Sequence, residues 1–279
     1  MKSNQSLTSR LWSAAIWVIT GFFVFNLIAM ISTVVVSSFG TRWLRSWLPA
    51  GWTTRWYLSA WDEFQLPDLL AVTFQVAGLV ILLTAIIGVP AAYALARREF
   101  PGKKVVMLLI LLPLLVPPIT YGIPMATVLY KAGLAGTMAG VVLANMVPAL
   151  SFVIMVMIPF IEQIDPRVES AARVFGANTP RLFVHVLVPL LLPGVLAALL
   201  LVLVRTIAMF ELTFLTAGPS SQTLVVALYY AVFSPGVRAV QSIDAMAVIY
   251  MVTALIWLVI ALRFVNPTQI VARKGGGAH

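Results

Sequence analysis

The sequence contains no cysteine and little charge. Without cysteine, it cannot form disulfide bonds, thiolate metal sites or cysteine nucleophiles. Only 10% of the 279 residues are charged, whereas a soluble domain usually carries about 25%. Acidic residues are the scarcest charges, with 9 Asp and Glu against 18 Lys and Arg. This composition excludes an ordinary soluble protein and indicates an integral membrane protein.

Long apolar runs occupy most of the chain, which is 61% hydrophobic with a mean hydropathy of +1.02. A spanning helix needs about 20 mostly apolar residues. Six segments meet this requirement, and residues 223–233 form a shorter run that suits a re-entrant or interfacial helix. The predicted fold class is an all-α membrane protein with six transmembrane helices, over residues 11–37, 69–96, 105–130, 138–160, 186–210 and 242–264.

The distribution of Lys and Arg predicts that both termini are cytoplasmic. With the N-terminus inside, twelve of these residues fall in inner segments and five in outer loops, while Arg205 lies within the fifth helix. The first apolar run is too long for a signal peptide, so we expect it to be a retained helix. We divide the chain into a first helix with an outer loop (1–68), a core transmembrane domain (69–265) and a cytoplasmic tail (266–279).

Two segments have unusual compositions. The first outer loop, 38–68, holds five of the eight tryptophans, which predicts a segment lying in the outer interface, with an aromatic cage for a cation as the alternative. The third span contains Pro113, Pro117, Pro118 and Pro124, each of which lacks a backbone donor. This span is either a packed kink or a broken helix that lines a pathway.

The segment 161–189 is a polar interruption between two very apolar spans. Asp165 followed by Pro166 predicts a helix start, and Gly176 predicts its end. Asn178 or Thr179 then caps a second short helix that leads into the fifth span. Glu169 and Arg173 are four residues apart and are expected to pair on the exposed face.

The stretch "ESAARVFGANTPRLFVHVLVP" resembles the EAA loop of permease subunits of type I ABC importers. The family triplet corresponds to Ser170-Ala171-Ala172, with Glu169 before it, and after three intervening residues comes the family glycine, Gly176. Nine further residues lead to the "VLVP" that ends at Pro189. At finer grain, "TTRWYLSAW", "ARREFPGKK" and "LTAGPSSQTL" resemble the spermidine/putrescine permease group.

This resemblance implies a function and a set of partners. In the family, the EAA loop carries a coupling helix that docks in a cytoplasmic ATPase subunit, so Glu169, Ser170, Ala171, Ala172, Gly176 and Pro189 are the candidate coupling residues. The expected partners are two ATP-binding subunits, a second permease that is a different chain or, alternatively, a copy of this one, a periplasmic or extracellular substrate-binding protein, and lipid, with no nucleic acid. The chain has no phosphate-binding loop, so we expect neither catalytic residues nor a cofactor.

The cargo is less well defined by the sequence. Polar or ionisable residues in or near the spans are candidates for the substrate pathway, namely Tyr121, Asn145, Arg205, Glu211 and Asp244. A polyamine is the cargo expected from the resemblance, with ferric iron, aminoethylphosphonate or a sugar as alternatives. Structural roles are the alternatives for individual residues, such as an interhelical hydrogen bond for Asn145 or an ion pair between Asp244 and Arg238. A secondary transporter without an ATPase is the competing function.

Overall fold

The computed structural model describes residues 7–43, 48–234 and 238–264, and these are almost entirely helical. Within them, the extended pairing is a single bridge between Gly40 and Trp52. The helices are α1 Leu7–Phe39, α2 Arg55–Glu63, α3 Leu66–Arg97, α4 Lys103–Leu115, α5 Pro118–Lys131, α6 Met138–Glu162, α7 Pro166–Val174, α8 Thr179–Leu182, α9 Val188–Ile207, α10 Glu211–Thr216, α11 Leu224–Phe233 and α12 Val240–Phe264.

The predicted spans are confirmed, with one difference. Five helices of the described residues are long and apolar enough to cross a membrane. The segment predicted as a single third span consists instead of α4 and α5, which meet at an angle of 104°. The break falls at the proline pair because Val116 is extended, as expected before a proline, and Pro117 and Pro118 have no N–H to continue the helix.

The chain divides into two compact units. One comprises the described residues up to Leu66 together with Ala231–Ile249, and the other comprises Pro67–Tyr230 together with the described residues from Tyr250 onward. In the first unit, Trp56 donates a hydrogen bond from Nε1 to the carbonyl of Gly40 at 2.7 Å, and the Arg55 guanidinium lies over its ring. The interfacial position of this aromatic segment stays a prediction, and Trp47 lies outside the described residues.

The core of the second unit is built around α6. Val141, Val153, Met157 and Ile161 on this helix are fully or almost fully buried. Helix α9 packs closely on α6 at Gly194, where an added Cβ would lie 2.9 Å from the ring of Phe160. The close packing of these two helices fixes the relative positions of their polar residues.

Candidate functional site

The polar segment 161–189 begins with the predicted capped helix. Asp165 Oδ1 accepts a hydrogen bond from the backbone N–H of Arg167 at 2.8 Å, and Pro166 is the first residue of α7. The helix ends at Val174, two residues before Gly176, whose φ is +86°. Gly176 therefore occupies the left-handed conformation that a helix-terminating glycine adopts at low cost.

The second helix start is also as predicted, and the structure identifies its cap. Asn178 Oδ1 accepts a hydrogen bond from the backbone N–H of Arg181 at 3.0 Å, so Asn178 rather than Thr179 is the N-cap of α8. A π-helical turn, Phe183–Leu187, joins α8 to α9 without an intervening loop. The helix, glycine turn and second helix thus run directly into a spanning helix.

The expected exposed pair of Glu169 with Arg173 is wrong. Glu169 Oε2 accepts a hydrogen bond from Tyr93 Oη at 2.6 Å, and its Oε1 accepts one from Arg97 Nε at 2.8 Å. The Arg97 and Glu169 side chains are only 15% and 12% exposed. The carboxylate turns inward because α3 offers it two donors, one of them charged, in a partly desolvated position.

The same two residues of α3 also contact segments on either side of α7. Arg97 also donates from Nη2 to the backbone carbonyl of Ile164 at 2.6 Å, just before α7 begins. The ring of Tyr93 meets that of Phe183 edge to face, with centroids 5.8 Å apart. The C-terminal end of α3 is therefore bound both to α7 and to the π-helical turn that precedes α9. Sequence reasoning missed Tyr93 and Arg97, which lie more than 70 residues before their partner.

The C-terminal end of α7 exposes two large apolar side chains. Ser170 and Ala171 are exposed, while Ala172 packs against the core. Val174 is 85% exposed and Phe175 is 90% exposed. Pro189, the last residue of the motif, is exposed as well. Two adjacent large apolar residues at the end of a polar helix form an unusual surface, and we call Val174 and Phe175 the apolar tip. Their position directly before the helix-ending glycine was the available signal in the sequence.

Four of the five predicted pathway residues lie in one region of the second unit. Asn145 on α6 and Arg205 on α9 line the same pocket, and the Arg205 guanidinium lies 5.1 Å from the ring centre of Phe152. Helix α5, which carries Tyr121, packs closely on α10, which begins at Glu211, since a Cβ added at Gly122 would lie 2.9 Å from the Leu215 side chain. The pocket is lined by Asn145, Pro148, Ala149, Phe152, Val202, Arg205, Thr206 and Met209.

Asp244 belongs to the other compact unit. Ser37 Oγ donates a hydrogen bond to its Oδ2 at 2.5 Å. The suggested pairing of Asp244 with Arg238 is wrong, because Arg238 Nε lies 3.2 Å from Glu63 Oε1 instead. The structure therefore gives Asp244 a role in tying α12 to α1.

Comparison with known proteins identifies the family. Residues 85–270 match the binding-protein-dependent transport system inner membrane component family. The chain belongs to this family. It is a permease subunit of a type I ABC importer, located in the bacterial inner membrane. Permease subunits are not catalytic, and ATP is hydrolysed by the partner ATPase.

Individual relatives agree on this class and differ in cargo. The chain is 33% identical over 162 residues to the molybdenum transport system permease protein ModB of Haemophilus influenzae, covering 52% of this chain and 70% of that protein. It is 28% identical over 181 residues to the melibiose/raffinose/stachyose import permease protein MelC of Bacillus subtilis, covering 64% of each. These names support an importer permease and do not support a polyamine in particular.

A solved structure supports the fold over nearly the whole chain. A chain of a bacterial ABC transporter involved in the import of the acidic polysaccharide alginate superimposes with a TM-score of 0.74. The match covers 98% of this chain and 99% of that one, at 20% sequence identity. At this identity the match establishes the architecture alone.

Proposed function

We propose that this permease forms half of a translocation pathway and is coupled to a cytoplasmic ATPase through residues 161–189. The observation that carries the proposal is the two-sided character of α7. The helix is bound to the spanning helix α3 through Glu169, whose side chain is only 12% exposed, and its C-terminal end exposes the apolar tip. A helix that transmits force between two proteins needs both a firm attachment and a docking surface.

The contacts of Glu169 suggest how movement passes into the membrane. When two ATPase subunits close on ATP, a docked α7 moves with them. Because Glu169 is bound to Tyr93 and Arg97, this movement displaces the cytoplasmic end of α3. The α8 helix and the π-helical turn carry the same displacement into α9. The two permeases then change from inward-facing to outward-facing.

The partners follow from this mechanism. We propose two ATP-binding subunits, a second and different permease that completes the pathway, and a substrate-binding protein at the outer face. The α1 span supports a further subunit, since the most apolar 18-residue stretch of this helix contains no residue that is buried within this chain. The exposed Arg205 also supports a further subunit. A charged side chain within a span requires water or another subunit beside it, and this chain leaves Arg205 uncovered.

The proposal is tested by purifying the chain with its co-expressed partners in lipid and measuring ATP hydrolysis. We expect the ATPase to co-purify and its activity to rise when the loaded binding protein is added. Uptake that follows an ion gradient without ATP would instead establish the secondary transporter.

Gly176→Pro is expected to abolish uptake. Proline is fixed near φ −65° and cannot adopt the +86° found at Gly176, so the end of α7 must rearrange. Gly102→Pro is a matched control, since Gly102 has φ +84° in the other described cytoplasmic turn and is remote from the motif. Uptake assays in membranes with equal amounts of each variant check this. Equal loss of uptake in both variants would show that the turn after α7 has no special role in coupling.

A polyamine is the first of the candidate cargoes, favoured by one observation. The Glu211 carboxylate makes no hydrogen bond or ion pair with the described residues, and an unpaired carboxylate at the start of α10 suits a cation. Asp244 is the other carboxylate considered as a partner for a cationic cargo, but it already accepts a hydrogen bond from Ser37 Oγ. Ferric iron, aminoethylphosphonate and sugars are the remaining candidates.

For a polyamine cargo, Glu211→Gln is expected to lower the uptake of labelled putrescine about tenfold, because a charged hydrogen bond is lost. Asp68→Gln is the control, since Asp68 lies in the first turn of α3 and outside the pocket region. Unchanged putrescine uptake in Glu211→Gln would exclude this carboxylate as the polyamine partner.

A further inference from the structure

The break between α4 and α5 leaves main-chain carbonyls without hydrogen-bond donors. In a continuous helix, the carbonyl of each residue accepts from the N–H four residues later. For Pro113 and Leu114 those later residues are Pro117 and Pro118, which have no N–H to donate. No described residue donates to either carbonyl, or to that of Leu115, the last residue of α4. The end of α4 is therefore a group of acceptors without donors.

These carbonyls lie at a depth where lipid surrounds a membrane protein. Helix α4 begins with Lys103 and Lys104, whose charges belong at the membrane surface. Its 13 residues rise by about 1.5 Å each, roughly 20 Å in all, which is less than the roughly 30 Å of the hydrocarbon core. A tilt of the helix shortens this reach further. The break therefore falls within the hydrocarbon core.

This chain does not cover the break. The Leu115 side chain is 70% exposed, and Pro117 is exposed as well. Lipid tails cannot donate a hydrogen bond, and non-helical backbone at this depth occurs only where protein buries it or where water reaches it. The exposed break therefore faces either an aqueous space or another subunit.

Two hydroxyl groups in the first turn of α5 favour the aqueous space. Thr120 is exposed, and its Oγ1 makes no hydrogen bond with any described residue. By contrast, the exposed Thr33 and Thr127 each donate to the carbonyl four residues earlier, which satisfies a hydroxyl in a span without help from water. The Tyr121 hydroxyl is also unpaired among the described residues. Unpaired hydroxyls and carbonyls beside one break are groups that water can satisfy.

We propose that the break between α4 and α5 lines the aqueous pathway and supplies its hydrogen-bond acceptors. The carbonyls of Pro113, Leu114 and Leu115 accept hydrogen bonds from water and from the N–H or O–H groups of a passing solute. This inference rests on the proposed pathway role of the chain and deepens it, because it names the segment that the solute meets. Permanent burial of the break by the second permease is the result that would oppose it.

The test is thiol labelling of single-cysteine variants, which is direct because the chain has no cysteine of its own. Leu115→Cys places the thiol at the break. Leu82→Cys is the control, because Leu82 is 55% exposed in the middle of the unbroken α3. Each variant is assembled with its ATPase, second permease and binding protein in lipid nanodiscs. A charged, membrane-impermeant methanethiosulfonate is added, and labelling of the permease is followed by mass spectrometry.

We expect Leu115→Cys to be labelled at least about tenfold faster than Leu82→Cys, because the reactive thiolate forms in water and not in lipid. The rate at Leu115→Cys is expected to change when a non-hydrolysable ATP analogue is added, since the pathway opens to one side at a time. Equal rates at the two positions, or no labelling of Leu115→Cys in either state, would overturn the proposal. A fast rate that the nucleotide leaves unchanged would mean a fixed crevice and would also overturn it.

A further variant links the labelling to the unpaired carbonyls. Pro117→Ala and Pro118→Ala together restore the two N–H groups that bond the carbonyls of Pro113 and Leu114 in a continuous helix. When these changes are combined with Leu115→Cys, we expect the labelling rate to fall at least about tenfold. Unchanged labelling would show that the proline pair does not create the opening. This variant is first checked for assembly, and the comparison of Leu115→Cys with Leu82→Cys tests the proposal without it.

ATP hydrolysis stimulated by the binding protein is measured on the same samples. If that activity is present and Leu115→Cys is not labelled, the break does not line the pathway and the importer function stands. If no ATPase assembles with the permease, the proposed coupling fails instead.

Discussion

Replacing Glu169 with lysine is expected to abolish ATP-driven uptake while the protein still inserts in the membrane. The new ammonium would lie beside Arg97 in a position that is almost closed to water. The variant loses hydrogen bonds from Tyr93 and Arg97, and a hydrogen bond to a charged group is worth about 1.5–3 kcal/mol. The attachment of α7 to α3 is therefore broken. Uptake and the amount of permease in the membrane fraction are measured together.

Two matched variants distinguish the loss of the α7–α3 attachment from the effect of the charge change itself. Glu99→Lys makes the same change at a carboxylate that is 88% exposed and pairs with Lys103 on the surface. We expect little effect there, because exposed pairs contribute about 0–1 kcal/mol. Glu169→Gln keeps one acceptor oxygen and should retain part of the uptake. Full uptake by Glu169→Lys would show that the contacts of Glu169 with α3 are not required for coupling.

Replacing Phe175 with aspartate is expected to prevent the ATPase from co-purifying with the permease. Phe175 is 90% exposed in this chain, so the change removes no internal packing and leaves the fold intact. An aromatic anchor at an interface commonly contributes about 2 kcal/mol or more, and burying a carboxylate in the interface with the ATPase costs additional free energy. The measurement is the amount of ATPase retained per permease after purification.

Phe100→Asp is the control for this prediction. Phe100 is another exposed phenylalanine, at 39%, in the turn between α3 and α4 on the same predicted side of the membrane. We expect the ATPase to be retained in that variant. Retention of the ATPase by Phe175→Asp to the same extent would remove the apolar tip from the docking surface.

Much of the fold is predictable because its signals are local. Apolar length alone defines the spans, and the caps of α7 and α8 follow from Asp165, Pro166 and Asn178. The 104° break at Val116 and Pro117 was one of two alternatives, since a proline pair either kinks or separates helices. Whether it separates them depends on packing partners, which a pattern along the chain does not reveal.

The contacts at the two candidate sites could not be predicted in this way. The spacing of Glu169 and Arg173 favours a local pair, yet Tyr93 and Arg97 provide better donors from a distant part of the chain. Asn145 was recognised as polar within a span, but its unpaired Oδ1 depends on the carbonyl of Val141 and the hydroxyl of Thr213. Such long-range pairings depend on which helices pack together in three dimensions.

Because the chain has no cysteine, a single introduced thiol reports directly on docking at α7. The measurement is disulfide or short-linker cross-linking of Ser170→Cys to the ATPase subunit in the assembled importer, with and without ATP. Ser170 is exposed and donates only to the carbonyl of Pro166, so the substitution is mild. We predict a specific adduct with the ATPase whose yield changes with ATP, and little adduct from Glu99→Cys. Equal, ATP-independent adducts from both positions would contradict coupling through residues 161–189.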